Sequence, residues 1–254
     1  MNNWIRLSET EAAMHGANTL VAAGVMLAES DIMVRPLPSL LDGLGKADCN
    51  RLRAIGREKV LEPGQLVWSQ GDEQTGIYLI GSGRIRSYYA APSGREVTLA
   101  YWFAGNFVGG PDLFGTGPHM WTSVAVERSQ LTFLPGAALR RLALESSPIA
   151  VALLDALAFK ARCYSAMAQM LGTRSVTERL HRLLIFLSHI YGVKRGNEIV
   201  IGTPFTHGDL ANLIGSTRQW VTVQLARLQE ERIIRYDRAM ISILDLASLD
   251  QEMN

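Results

Sequence analysis

The chain has 254 residues, 48% of them hydrophobic and 19% charged, with a net charge of +1. That composition is that of a soluble globular protein with a sizeable core, long enough for one large domain or two ordinary ones. The near-neutral charge rules out bulk electrostatics as a sign of a nucleic-acid, membrane or acidic partner, so any such partner has to be argued from a local motif. The two cysteines, Cys49 and Cys163, make no disulfide framework. Without a CxxC pair, zinc and cysteine-ligated iron–sulfur sites lack ligands, so no metal and no cofactor is expected. A reducing, cytoplasmic location fits.

The opening segment MNNWIRLSETEAAMHG lacks a basic region followed by an apolar core, so no secretory signal is expected. Asn18–Ala28 is apolar but too short to span a bilayer, and no membrane partner is expected. Ser8 with Glu11 forms a capping-box pattern for a helix to about Ala28, and RPLPSLL (Arg35–Leu41) breaks it. Residues 1–36 are therefore read as a helical extension.

From about Val60 to Leu134, short apolar runs alternate with glycine turns. GIYLI and RIRSYY flank a tight Gly81–Ser82–Gly83 turn, and Ala91–Glu96 is a second turn before VTLAYWF. Strands at near-even spacing predict an antiparallel sandwich or barrel running to about Leu134. Within it, Gly105–Val126 packs five glycines and two prolines, a texture that often wraps an anion or a small ligand.

Residues 147–171 predict one long helix, opened by Ser147–Pro148. Two apolar seams step 3,4,3,4,3 along it: Leu153, Ala156, Lys160, Cys163, Met167, Met170 and Leu154, Leu157, Ala161, Tyr164, Ala168, Leu171. A helix apolar on two faces is buried on two sides. The first seam is assigned to a homodimer interface of coiled-coil type, and the Tyr164 face to the β-domain. Gly172–Thr173 is read as a hinge before a second amphipathic helix carrying Val176, Leu180, Leu183, Leu187 and Ile190 on one face.

The most specific signal lies in Thr206–Ile234. Thr206 caps a short helix, Ala211 is small where two helices cross, and Gly215 suits a left-handed turn. Ser216 with Gln219 opens a second helix with an apolar stripe of Val221, Leu225 and Leu228. This is helix-turn-helix spacing, followed by a two-strand wing around Asp237–Arg238. The order of cap, glycine, Arg-Gln pair and wing favours this over an ordinary helical hairpin with a solvated polar face. The N-terminal solvent side of the second helix carries Thr217, Arg218, Gln219, Thr222 and Val223. Arginine suits guanine, glutamine suits adenine, and threonine suits either edge or the thymine methyl.

From about Leu37 to Leu246 the chain resembles the CRP/FNR family of bacterial transcription regulators. The resemblance rests on LEPGQLVWSQGDEQTGIYLIGSGRIRSYY, on FAGNFVGG, on the long helix before VTERLHRLL, and on GSTRQWVTVQLARLQEERII. It implies an α+β chain: an antiparallel, jelly-roll-like β-roll sensor (37–146), a dimerisation helix (147–171) and a C-terminal winged helix-turn-helix (172–254). It also implies a homodimer on double-stranded DNA with two-fold symmetry, with RNA polymerase as a partner. The DNA-binding residues expected are Thr206, Ser216, Thr217, Arg218, Gln219, Thr222 and Val223. The family often has an acidic residue at Gln219 and arginine at Val223, so the familiar half-site is not assumed.

Cyclic-nucleotide-binding members hold the ribose with a glutamate and the phosphate with an Arg-Ser pair. Here Gly110, Met120 and Trp121 stand at those places, and a buried phosphate without a cation is poorly compensated. The oxygen-sensing members' cysteine cluster is missing too, and His119 reads as a solvated loop residue. Cys163 reads as a small buried hydrophobe, with a redox cross-link to its twin as the alternative. A small non-nucleotide effector, apolar or aromatic, is expected in a pocket bordered by Trp102, Gly109, Gly110, Met120, Trp121, Tyr164 and Ser165. The alternatives are a constitutive dimer whose roll is only structural, an atypical cyclic-nucleotide responder, and an adaptor that binds protein. A jelly-roll metalloenzyme is not expected, since only His119 among five histidines lies in the β-region.

Overall fold

A computed structural model describes residues 39–94, 96–115, 117–202 and 205–251, which divide into two units, 39–169 and 170–251. The helical extension expected over 1–36 lies outside the described residues, as does the start of the Arg35–Leu41 break.

The first unit opens with α1 (Lys46–Ile55), which carries Asp48 in its first turn and Arg53 in its last, both favourable to the helix dipole. Ten strands follow: β1 (Arg57–Leu61), β2 (Leu66–Trp68), β3 (Glu73–Gln74), β4 (Gly76–Ser82), β5 (Arg84–Ala90), β6 (Glu96–Phe103), β7 (Phe107–Val108), β8 (Gly117–Pro118), β9 (Thr122–Ala125) and β10 (Ser129–Pro135). They pair antiparallel in two sheets, β1-β10-β4-β7 and β2-β9-β5-β6, with a ribbon β3-β8. Two helices follow, α2 (Gly136–Glu145) and α3 (Ser147–Thr173), whose last turn, from Met170, belongs to the second unit.

Alternation explains the layering. In β6, Thr98, Ala100 and Trp102 are buried while Val97, Leu99, Tyr101 and Phe103 are half-buried, the period of a strand with one core face. One core cluster gathers Trp68, Ile80, Ile85, Trp102 and Cys163, and a second gathers Leu40, Leu52, Ile77, Phe107, Leu139 and Leu153. The second cluster joins both short helices to the roll. Arg51 on α1 pairs with Glu145 on α2, and Ser146 Oγ donates to Asp48 Oδ1 at 2.8 Å.

Two expectations are corrected here. The Gly81–Ser82–Gly83 turn does not join a hairpin: β4 pairs with β10 and β7, and β5 pairs with β6 and β9. The glycine instead carries the chain from one sheet to the other. Gly83 takes φ +87 where a Cβ would lie 2.6 Å from the Arg128 carbonyl oxygen, so both conformation and contact require glycine. The other correction concerns α1 and α2, which flank the Val60–Leu134 strand texture where the sequence reading named no helix.

Gly136, first residue of α2, donates its N–H to the Thr75 carbonyl at 2.8 Å and lies against the Phe114 backbone, which an added Cβ would overlap. Gly136→Ala is expected to destabilise this unit by about 1–3 kcal/mol, through overpacking against backbone that cannot rotate away. A lowered melting midpoint checks this.

The second unit contains α4 (Val176–Tyr191), β11 (Gly192–Arg195), β12 (Glu198–Ile201), α5 (His207–Ile214), α6 (Arg218–Glu230), β13 (Ile234–Asp237), β14 (Met240–Ile243) and α7 (Leu246–Gln251). The strands form one sheet, β11-β12-β14-β13. Leu180, Leu183 and Leu187 of the expected face of α4 are fully buried, and Val176 is half-buried. The wing turns through Arg238 and Ala239, both at positive φ, the two-residue geometry that matches strand twist.

The break after α3 differs from the expected hinge. The helix runs through Gly172 to Thr173, and Ser175 then opens α4 with a full capping box to Glu178. The reciprocal side-chain bonds of Ser175 set the break, because a helix tolerates an internal glycine at about 1 kcal/mol.

Candidate functional site

The arrangement of α5 and α6 follows from local chemistry. Thr206 Oγ1 accepts from Asp209 N–H at 3.1 Å, and Asp209 Oδ2 accepts from Thr206 N–H at 2.8 Å. Gly215 ends α5 at φ +66, ψ +45, and Ser216 N–H returns to the Ala211 carbonyl at 2.9 Å. The α6 cap is Thr217, whose Oγ1 accepts from Trp220 N–H at 3.2 Å. The Ser216–Gln219 capping box is thus displaced by one residue, since the αL turn at Gly215 spends Ser216 on closing the loop.

Val221, Leu225 and Leu228 are buried together with Leu210, Ala211, Leu213 and Ile214. That stripe orients α6, and its opposite side follows by geometry. Thr217, Arg218, Gln219, Thr222 and Val223 are all exposed at its N-terminal end, Val223 at 58%. Thr206 is exposed and Ser216 half-buried.

Sequence reading passed over His207, which begins α5. Its Nδ1 lies 2.7 Å from Thr222 Oγ1, and its ring packs 4.7 Å from Tyr236 of the wing. Burial first, and then the Arg218 charge, lower its pKa. Fifteen residues separate His207 from Thr222, so no spacing signal could have joined them.

In the first unit the seven expected pocket residues lie in different surroundings. Trp102 is buried, with Tyr164 edge-on at 6.3 Å, and Trp121 lies 5.7 Å from Tyr164. Met120 is 60% exposed, and Ser165 is exposed as well. Gly109 and Gly110 are buried because their own neighbours cover them. A Cβ on Gly109 would sit 2.7 Å from Ile77 Cγ2, and one on Gly110 would overlap the Gln74 amide, which itself donates to the Asp112 carbonyl. The glycines make room for the roll's own side chains. A cavity of about 10 Å³ is bounded by Leu40, Trp102, Asn106, Phe107, Ala156, Phe159 and Lys160, room for about one water.

His119 is also corrected. It is buried and stacks on Trp68 at 4.1 Å, 10° from parallel, because the loop folds it inward; burial lowers its pKa, opposed by Asp72.

Tyr164 of α3 packs against the roll as expected, on Trp102 and Trp121, but the seam given to a partner turns inward too. Leu153, Lys160, Cys163, Met167 and Met170 are buried within the chain, and Ala156 is half-buried. Cys163 joins the Trp102 cluster and Leu153 the Phe107 cluster. This seam is therefore covered within the chain, with Leu153 and Cys163 in the roll's two clusters. The exposed stripe is Val151, Leu154, Ala158, Ala161, Ser165 and Ala168, again in 3,4 steps, with Val151 at 53% and Leu154 at 64% exposure.

Lys160 is the unexpected residue of that seam. Its Nζ is 3.5 Å from the centre of the Trp102 ring and 4.5 Å from that of Phe107, with no hydrogen-bond partner. Burial lowers its pKa to about 7. Nearby, burial pushes the Cys163 thiol up to about 11, which keeps it protonated and unreactive at neutral pH. Among the described residues no group of His, Cys, Asp or Glu side chains is arranged to hold a metal ion, and no single helix is long and apolar enough to cross a membrane.

Comparison with known proteins matches both units. The family described as cyclic nucleotide-binding domain matches residues 58–146, and the Crp-like helix-turn-helix domain matches residues 178–252. The fumarate and nitrate reduction regulatory protein of Vibrio cholerae serotype O1 is 27% identical over 207 residues, 81% of this chain and 82% of its own. The c-di-GMP responsive global regulator CLP of Xanthomonas campestris is similar in structure, with TM-score 0.70, 20% identity, and coverage of 78% of this chain and 99% of that one. CprK complexed with OCPA gives TM-score 0.64 at 21% identity, covering 82% and 94%.

Proposed function

The chain belongs to the CRP/FNR family of DNA-binding transcription regulators, and from that premise we propose that it acts as a homodimer on a two-fold symmetric operator, read by α6. Its relatives are regulators and not enzymes. The observation that carries the reading is the exposed N-terminal end of α6, where Thr217, Arg218, Gln219, Thr222 and Val223 surround a helix start that is itself held by buried Val221, Leu225 and Leu228. Side chains at such a helix start reach base edges in the major groove. Thr206 and Ser216, near the starts of α5 and α6, are suited to the backbone phosphates. The operator half-sites then lie about 34–36 Å apart, on successive major grooves.

Dimerisation is assigned to the exposed stripe of α3 and not to the Leu153–Met170 seam. Its residues are small between Ala158 and Ala168, which lets two helices approach closely. At a promoter the dimer would recruit or block RNA polymerase, and a cytoplasmic location goes with that role.

A non-nucleotide effector remains the reading of the sensor. Gly110 is covered by Gln74, and Met120 is exposed where a phosphate-holding arginine would be needed. Arg86, on β5, is engaged by Glu96 at 2.6 Å and Thr98 at 2.9 Å. A constitutive dimer is the second reading, favoured by one observation: Trp102 is buried in the roll's core cluster, with Trp121 and Tyr164 packed against it. A metabolite that raises the melting temperature of the sensor unit separates the two.

The experiment that tests DNA reading is operator binding by Arg218→Ala. Loss of a bidentate guanine contact should cost about 1–3 kcal/mol per half-site, with the salt dependence of binding retained. Unchanged affinity on a footprinted operator would remove α6 from the interface.

A further inference from the structure

His207 meets the recognition helix at one atom, and the hydrogen count there has a consequence for base reading. Thr222 Oγ1 lies 2.9 Å from the Arg218 carbonyl oxygen and 2.7 Å from His207 Nδ1. A hydroxyl has a single hydrogen, and a carbonyl can only accept. The Thr222 hydroxyl therefore donates to Arg218 C=O, and His207 Nδ1–H donates to Thr222. Burial and the Arg218 charge keep the imidazole neutral near pH 7, so its single hydrogen is committed to Nδ1. The Tyr236 ring packs against the imidazole, and Tyr236 OH is anchored on the Phe205 carbonyl at 3.0 Å. Wing, α5 and α6 are thus tied at Thr222, one of the exposed side chains of the reading surface.

A threonine can read a base edge through its hydroxyl or a thymine through its methyl. Here the hydroxyl has its only hydrogen spent on its own helix and one of its two acceptor lone pairs filled by His207, so it has no hydrogen to donate to a base. With no hydrogen to give to the O4 of thymine, the side chain is left its methyl as the means of recognising that base. We propose that His207 is a specificity-determining positioning residue, which holds the Thr222 hydroxyl on the helix so that each half-site is read through a thymine methyl at one position. The proposal rests on the reading of α6 as the recognition helix.

The test is a binding titration of the full chain on its footprinted operator, with each thymidine replaced singly by deoxyuridine, which lacks only the methyl. One position per half-site should weaken by about fourfold, the value of one buried methyl. In His207→Ala the penalty at that position should fall below about twofold, because the hydroxyl is then held by the Arg218 carbonyl alone and the side chain can take another rotamer. His207→Asn, which keeps an N–H donor near the Nδ1 position, should retain it. Melting curves of both variants check that each is folded. A full penalty in folded His207→Ala, or no deoxyuridine-sensitive position in the wild type, overturns the proposal. Arg218→Ala is titrated in parallel. If it weakens binding while His207→Ala keeps the penalty, only the role of His207 fails; if it binds like wild type, the reading of α6 fails and the proposal with it.

Discussion

Ala161→Glu is expected to turn the protein into a folded monomer and to weaken operator binding by about a hundredfold or more. Ala161 lies at the middle of the exposed stripe Val151, Leu154, Ala158, Ala161, Ser165, Ala168 on α3. Its side chain is exposed within one chain, so the substitution removes no intramolecular packing. In a two-fold symmetric pair of helices the new carboxylate would face its own copy across a desolvated seam, where like charges repel and lose their water. Two half-sites bound by one dimer gain about 10²–10⁴ over independent binding, and a monomer forfeits that gain. Sedimentation of the variant, with operator titration at the same concentrations, measures both effects. A variant that still sediments as a dimer places the interface elsewhere.

Lys160→Met is expected to stabilise the first unit by about 2–4 kcal/mol at pH 7, a melting shift of roughly 5–15 °C. Lys160 Nζ has two aromatic rings against it and no hydrogen-bond partner. Ring faces attract a cation, but they do not replace its hydration. Burial accordingly lowers its pKa to about 7, well below the unfolded lysine value of about 10.4. Between those values the unfolded chain binds a proton that the folded chain has released, so stability rises with pH across the window. Cys163 opposes the rise at its upper end. With its folded pKa raised to about 11, it keeps a proton that an unfolded thiol loses above about 8.5, and stability falls with pH there. The clean interval is pH 7–8.5, where roughly 1–2 kcal/mol should be gained in the wild type and none in Lys160→Met. Fluorescence melts report on this unit, which holds Trp68, Trp102 and Trp121. A flat wild-type profile over that interval, or a variant that melts lower, contradicts the account.

The residues that were legible in sequence are those whose chemistry is local. Thr206 with Asp209, the αL turn at Gly215 and the stripe Val221, Leu225, Leu228 are set by neighbours within a few positions. The helix-turn-helix and its outward face could therefore be read before any coordinates. The two-strand wing around Asp237–Arg238 was legible for the same reason. Even there, the one-residue shift of the cap to Thr217 came from a longer bond, Ser216 N–H to the Ala211 carbonyl.

The interior of the first unit was less legible, because periodicity reports that a face is apolar without saying what covers it. Both seams of α3 step 3,4, and either could have met the roll. Contacts distant in the chain decided: Leu153 and Cys163 join the roll's clusters, while Val151, Leu154 and the small residues from Ala158 to Ala168 are left outside. The glycines at 109 and 110 looked like a ligand cradle, and Ile77 and Gln74 occupy the room they leave. Gly83 looked like a hairpin turn, and the strands on either side belong to different sheets.

By itself, then, the sequence determined the β-roll, the long helix and the winged helix-turn-helix, together with the family and the exposed face of α6. Caps, turns and alternation act over a few residues and are written in order along the chain. Only the tertiary structure decided which seam of α3 is buried, that Lys160 lies unpaired between Trp102 and Phe107, and that His207 holds Thr222. Those outcomes depend on contacts between residues far apart in the chain, where competing packings share one local pattern and volume, hydrogen count and desolvation choose among them.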